Sequence, residues 1–219
     1  VIIVASIILA YKVYESEYFI KANEASIEKA VEEFLELDVT RLKYKKFQNV
    51  LIVYYESNNG NYDGSTVLYK GLNNRYQIRM AGYGTKNRVF LGRVFKSYGK
   101  RYLAVMGENY NKMIDRVVIE TSSGIIKEFN FDGESYIIKA FKTDVEWDDL
   151  LSEYTLFNEK GKDITKQLND IYYQNGGFGS GTGKAETFML YVYCTMILVI
   201  GYFVSRIFLD NKKIERENT

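Results

Sequence analysis

Nineteen consecutive residues without a formal charge, TFMLYVYCTMILVIGYFVS from Thr187 to Ser205, set the first limit on this chain. At about 1.5 Å per residue such a helix is roughly 28 Å long, close to the hydrocarbon thickness of a bilayer. A buried core helix of this length would ordinarily carry some charge on one face, so a membrane span at 187–205 is the expectation. Arg206, Lys212, Lys213 and Arg216 follow the run, whereas only Lys184 closely precedes it. The positive-inside bias therefore predicts a cytoplasmic tail at 206–219.

The other end is also apolar. The chain opens with VIIVASIILAY, beginning at Val1 without a methionine and reaching Lys12 before a charge occurs. Eleven residues alone are too few to span. Ile8, Leu9 and Ala10 make a poor signal-peptidase site, so the expectation is an uncleaved, truncated anchor that leads into a stalk over 1–19. Both termini are then cytoplasmic, and the middle of the chain lies outside the plasma membrane.

That middle part changes period along its length. Over 20–38, Ile27, Ala30, Val31, Phe34 and Leu35 recur at helical spacing, which predicts an amphipathic helix continuing the stalk. From 39 to 162 the period is two. FQNVLIVYY at 47–55 is a near-continuous apolar run, as in a strand buried on both faces. Further strands are predicted at 65–70, 76–80, 88–96, 101–106, 115–121, 125–131, 135–142 and 154–158. Turn signals at Asp63-Gly64, Gly99, Ser123-Gly124, Asp132-Gly133 and Lys160-Gly161 separate them. The predicted fold is mainly β, an antiparallel sandwich or barrel-like ectodomain, with flanking α-helices and a transmembrane helix at each end. A short helix capped by Asp163 is expected over 163–175, and a slack Gly-rich linker over 176–186.

Several chemistries are excluded or disfavoured. There is no histidine, so His-based triads and His metal sites are impossible. Cys194, the only cysteine, lies inside the apolar run, so no intrachain disulfide forms. Lys and Arg number 29 against 28 Asp and Glu, which gives nucleic acid no bulk attraction. GGFGSGTGK at 176–184 looks like a phosphate loop, but Phe178 stands where the first glycine belongs and Ala185 where the Mg²⁺-binding hydroxyl belongs. No nucleotide or other cofactor is expected.

Three patterns remain as candidate sites. Asn59, Asn61 and Asp63, followed by Gly64, match the first half of a calcium loop, but Lys70 occupies the position that needs a bidentate glutamate. A wide hairpin loop is the plainer reading. Asp144, Glu146, Asp148 and Asp149 flank Trp147, a pattern from which a carboxylate-based hydrolase would draw its acids; a solvated face is the plainer reading. RLKYKK at 41–46 is a basic strand, either an edge protected by lysines or a contact for anionic lipid or wall polymer. No catalytic residue is assigned.

YKGLNNRYQI at 69–78 and GKRYLAVMGENYNKMIDRVVIE at 99–120 resemble uncharacterised membrane-anchored proteins of low-GC Gram-positive bacteria. The ending LFNEKGKDIT at 156–165 is similar to the last strand and turn of many sandwich modules. The resemblance implies a short N-terminal anchor and helix before a β-rich extracytoplasmic domain, and no catalytic residues. The expected function is a non-enzymatic binding, sensing or accessory protein of the cell envelope, in contact with membrane lipid and with a membrane-protein partner. The alternatives are a carboxylate-based envelope hydrolase and a structural protein contacting wall polymer or lipid.

Overall fold

A computed structural model describes residues 1–58, 60–86, 89–120, 124, 126–143, 153–172, 178–182 and 184–217. Two helices, α1 (Ile2–Glu17) and α2 (Glu24–Leu35), precede a run of antiparallel strands. The strands are β1 (Val39–Phe47), β2 (Val50–Ser57), β3 (Tyr62–Lys70), β4 (Tyr76–Thr85), β5 (Phe90–Ser97), β6 (Lys100–Glu108), β7 (Arg116–Glu120), β8 (Ile126–Asn130), β9 (Tyr136–Lys142) and β10 (Glu153–Phe157). Then come α3 (Thr165–Tyr172), β11 (Phe178–Thr182) and the long α4 (Lys184–Glu217).

The strands form three sheets, ordered β1-β2-β3-β4-β11, β5-β6-β9 and β10-β7-β8. They stack in layers because two strands are apolar on both faces. Leu51, Val53 and Tyr55 of β2 pack under Ile27, Ala30 and Val31 of α2. Their neighbours Val50, Ile52 and Tyr54 point the other way, against Tyr102, Ala104 and Met106 of β6. Leu103 and Val105 of β6 in turn face Val117, Ile119 and Phe129 of the third sheet, with Leu168 of α3. The period of two thus delivers one strand to two cores at once. The fold is mainly β, as the periodicity predicts, with open stacked sheets.

Local details correct several expectations. The apolar run 47–55 is not one strand: β1 ends at Phe47, Gln48 turns the chain at φ 54°, and β2 begins at Val50. β1, with its RLKYKK lysines, is an edge strand of the first sheet. Asp63-Gly64 is not a turn but the start of β3; the turn precedes it, with Gly60 at φ 68°. Gly64 is required for another reason, since a Cβ there would lie 2.4 Å from the Tyr55 ring. α2 is not a continuation of α1. The chain bends after Glu17, Ile20 pairs with Tyr76 through two backbone hydrogen bonds, and Asn23 then caps α2 by accepting from the Ser26 N–H at 2.9 Å.

The stretch expected as a slack linker differs most. Residues Phe178–Thr182 form β11, which pairs with Thr85's neighbours on β4, Ser180 opposite Gly82 and Gly181 opposite Ala81. Glycine does not prevent pairing here, because β4 offers an unpaired edge of backbone donors and acceptors that must be satisfied.

Among the described residues one helix, Thr187–Asp210 within α4, is long and apolar enough to cross a membrane, and 17% of its apolar window is buried. At the other end α1 covers 16 residues, about 24 Å, and a second helix of spanning length is not shown among the described residues. The two helices pack antiparallel. Ser6 lies against Gly201, where a Cβ would come within 1.9 Å of the Ser6 Oγ, and the Cys194 thiol is 3.5 Å from the Ala10 carbonyl oxygen. Small residues let the two backbones approach, as in helix pairs within membranes.

The β stack is docked on this pair. The Leu72 N–H donates to the Tyr14 hydroxyl at 2.8 Å, and the Asn73 amide donates to the Tyr18 carbonyl at 2.8 Å. Gln77 ties both helices to β4, donating to Glu17 at 2.9 Å and accepting from the Thr187 hydroxyl at 3.1 Å. Gly71 fits only because it lacks a side chain, since a Cβ would meet the Tyr14 and Tyr18 rings at 2.5 Å.

Candidate functional site: a buried carboxylate–lysine cluster

The densest group of charges lies between the first and second sheets, at the end remote from α1 and α4. Alternation along β2 puts Glu56 on the same face as Val50, Ile52 and Tyr54, so a carboxylate occupies a core-facing position. The antiparallel register places Asp63 of β3 directly opposite Glu56. Two carboxylates directly across a ladder repel each other, and both are buried, at 1% and 4% exposure.

Lys86, just past the end of β4, resolves this. Its Nζ donates to Glu56 Oε1 at 2.7 Å and to Glu108 Oε2, from the end of β6, at 2.6 Å. The backbone N–H of Lys86 is fixed by the Asn61 carbonyl at 3.0 Å. Arg41 reaches in from edge strand β1, donating through Nη1 to Glu56 Oε2 at 3.1 Å. Arg41 sits at φ 49°, where the β1–β2 register shifts, and this bulge aims the side chain at the cluster. The Tyr54 hydroxyl lies 3.4 Å from both Glu56 and Asp63, long for a hydroxyl bond.

Protonation follows from this geometry. Burial pushes Asp63 up to about 7; Lys86 offsets part of that and Glu56 adds to it. Burial likewise raises the Tyr54 phenol well above its ordinary range, helped by Asp63 and Glu56. Burial alone would lower Lys86, but its bonds to Glu108 and Glu56 outweigh that and hold it above the usual lysine value. Two cations face three carboxylates, so one carboxyl is in excess, and Asp63 is the one made to keep its proton. The cluster can therefore bind one proton near neutrality and join the two sheets electrostatically.

A metal has no need to enter it, because the Lys86 ammonium already supplies the positive charge between Glu56 and Glu108. Among the described residues no group of three or more carboxylates or thiols is arranged to hold an ion. Of the calcium pattern, Asn59 lies outside the described residues, Asn61 belongs to the turn, and Asp63 turns its carboxylate toward Tyr54 in the sheet interface. The acidic group at Asp144, Glu146, Trp147, Asp148 and Asp149 also lies outside the described residues.

Sequence reasoning passed over Glu56, Lys86 and Glu108. Glu56 carries a legible signal, a charge at the core-facing parity of a doubly buried strand. Lys86 and Glu108 carry none, because their partners are 30 and 22 residues away in the chain. No family model matches this chain, and no curated protein or solved structure shows significant similarity to it.

Proposed function

We propose that this chain is a membrane-anchored, non-enzymatic binding or accessory module, whose β stack is held on the outer face of a bacterial plasma membrane by two antiparallel helices. The observation that carries the reading is the apolar skin of that pair. Ile3, Val4, Ile7, Ile8 and Leu9 of α1 point away from the protein, as do Leu198, Val199, Ile200, Phe203 and Phe208 of α4. A contiguous apolar surface of this extent is stable only against lipid or another apolar partner. The small-residue contacts at Ser6, Ala10 and Gly201 suit a helix hairpin in lipid, with α1 serving as the second crossing element. The cations of the tail then put both termini in the cytoplasm and the β stack outside.

Two measurements test this. The chain is expected to stay in membranes washed with alkaline carbonate, and release into the wash would refute the anchor. An alkaline phosphatase fused at residue 100 is expected to be active in intact bacteria; an inactive fusion at normal expression would reverse the topology.

A further inference from the structure

We infer that the helix-facing end of the β stack rests on the bilayer surface and takes the phosphate headgroup of an anionic phospholipid into a cavity beside Lys70. The inference rests on the membrane reading above. Three independent observations carry it.

The first is where the domain exposes apolar side chains. Leu72, in the β3–β4 turn, is 92% exposed, and Tyr98, in the β5–β6 turn, is 76% exposed. No other large apolar side chain described between β1 and α3 is as open. Both turns lie at the end that docks on α1, as the bond from Leu72 to Tyr14 shows. Apolar tips beside a helix end are the residues that enter a headgroup layer, and tyrosine is enriched at that depth.

The second is the cavity between these tips. It is an open pocket of about 300 Å³, lined by Tyr14, Tyr18 and Tyr191 on the helix side and by Lys70, Leu72 and Tyr98, with Asn49 and Asn74, on the sheet side. One wall is thus a set of tyrosines from the helix pair, beside which acyl chains would run, and the other includes Lys70.

The third is charge. Lys46, Lys70, Lys96 and Lys100 all lie near this end by strand register, at or near the β1–β2, β3–β4 and β5–β6 turns. None of the four makes an ion pair among the described residues. The acids nearby are engaged elsewhere, Glu15 with Lys12 and Glu17 with Gln77. Unpaired cations facing a membrane attract anionic headgroups, and the basic end of β1 joins the same surface.

The test uses the full chain, reconstituted in vesicles of phosphatidylcholine with and without phosphatidylglycerol. In a Cys194→Ala background, Leu72→Cys and, at the far end, Asn58→Cys each carry an environment-sensitive fluorophore. Residue 72 is expected to show blue-shifted emission quenched by nitroxide-bearing lipids, and residue 58 neither. Lys70→Gln is expected to lower the enrichment of phosphatidylglycerol over phosphatidylcholine around the protein about fivefold. Water-like, unquenched emission at residue 72 in carbonate-resistant protein overturns the surface while leaving the anchor intact. Loss of the chain from carbonate-washed vesicles overturns both. Unchanged lipid enrichment in Lys70→Gln overturns the cavity as the headgroup site.

Discussion

At the end of the stack next to α1 and α4, strands β3 and β5 finish in turns that carry Leu72 and Tyr98 into the open, among lysines with no carboxylate partner. At the other end the same two sheets close over Glu56, Asp63 and Lys86. One end leaves apolar groups and cations uncovered; the other buries charges and pairs them. Buried charge is tolerated only where each group finds an opposite partner, so the remote end is specified by geometry. The helix-facing end has no such requirement within the chain, and what would satisfy it lies outside the protein.

The difference is open to measurement by denaturant titration of the full chain in detergent. Lys86→Met leaves the buried Glu56 and the partly buried Glu108 without their shared cation, and is expected to cost ~3–5 kcal/mol. A loss under about 1 kcal/mol would mean the cluster is solvated and the contrast between the ends false.

Asp63 sharpens the same point through pH. Folding lifts its pKa from the ordinary aspartate range to about 7, so between about pH 4 and 7 the folded state holds a proton that the unfolded state releases. Its contribution to stability is complete below that window and falls as pH rises through it, by at most ~4 kcal/mol. Asp63→Asn is expected to flatten this slope and to stabilise the chain at pH 8 relative to wild type. An unchanged pH profile would place the titrating group elsewhere.

Smaller effects mark the boundary of each region. Gly64→Ala drives a Cβ into the Tyr55 ring and should cost ~1–3 kcal/mol. Arg41→Ala removes one of the two cations on Glu56, whose side chain is 2% exposed while the arginine's is 62% exposed, so the loss should fall below that of Lys86→Met, at ~1–3 kcal/mol. Leu72→Ser and Tyr98→Ser should change stability by no more than ~0.5 kcal/mol, since both side chains are open. A large loss at either turn would show that the exposed tips serve the fold rather than a surface.

How much was legible in the sequence varied with the range of the interaction. The apolar run in β2 and the spacing in α2 are local signals, and both elements form with shifted bounds: β2 starts only at Val50, and α2 spans Glu24–Leu35 with Ile27, Ala30 and Val31 buried but Phe34 exposed. Turn chemistry was less secure. Gly99 and Gly133 do turn the chain, but Gly64 is small because Tyr55 lies over it, and Gln48 turns without a glycine. Composition cannot separate a glycine chosen for conformation from one chosen for space. Of the candidate site, Asp63 and Arg41 stood in patterns read for other reasons, and Glu56 carried a signal only in its parity in a buried strand.

By itself the sequence determined the long uncharged helix, the β periodicity, the absence of histidine chemistry and the lack of a phosphate loop. Each of these follows from neighbours a few residues apart, or from what the chain does not contain. The tertiary structure alone decided that three sheets stack, that GSGT pairs with β4, and that Ser6 meets Gly201. It also decided that Lys86 stands between Glu56 and Glu108. Those facts depend on which distant segments satisfy each other's unpaired backbone, small surfaces and buried charge, and such choices leave no local periodicity to read.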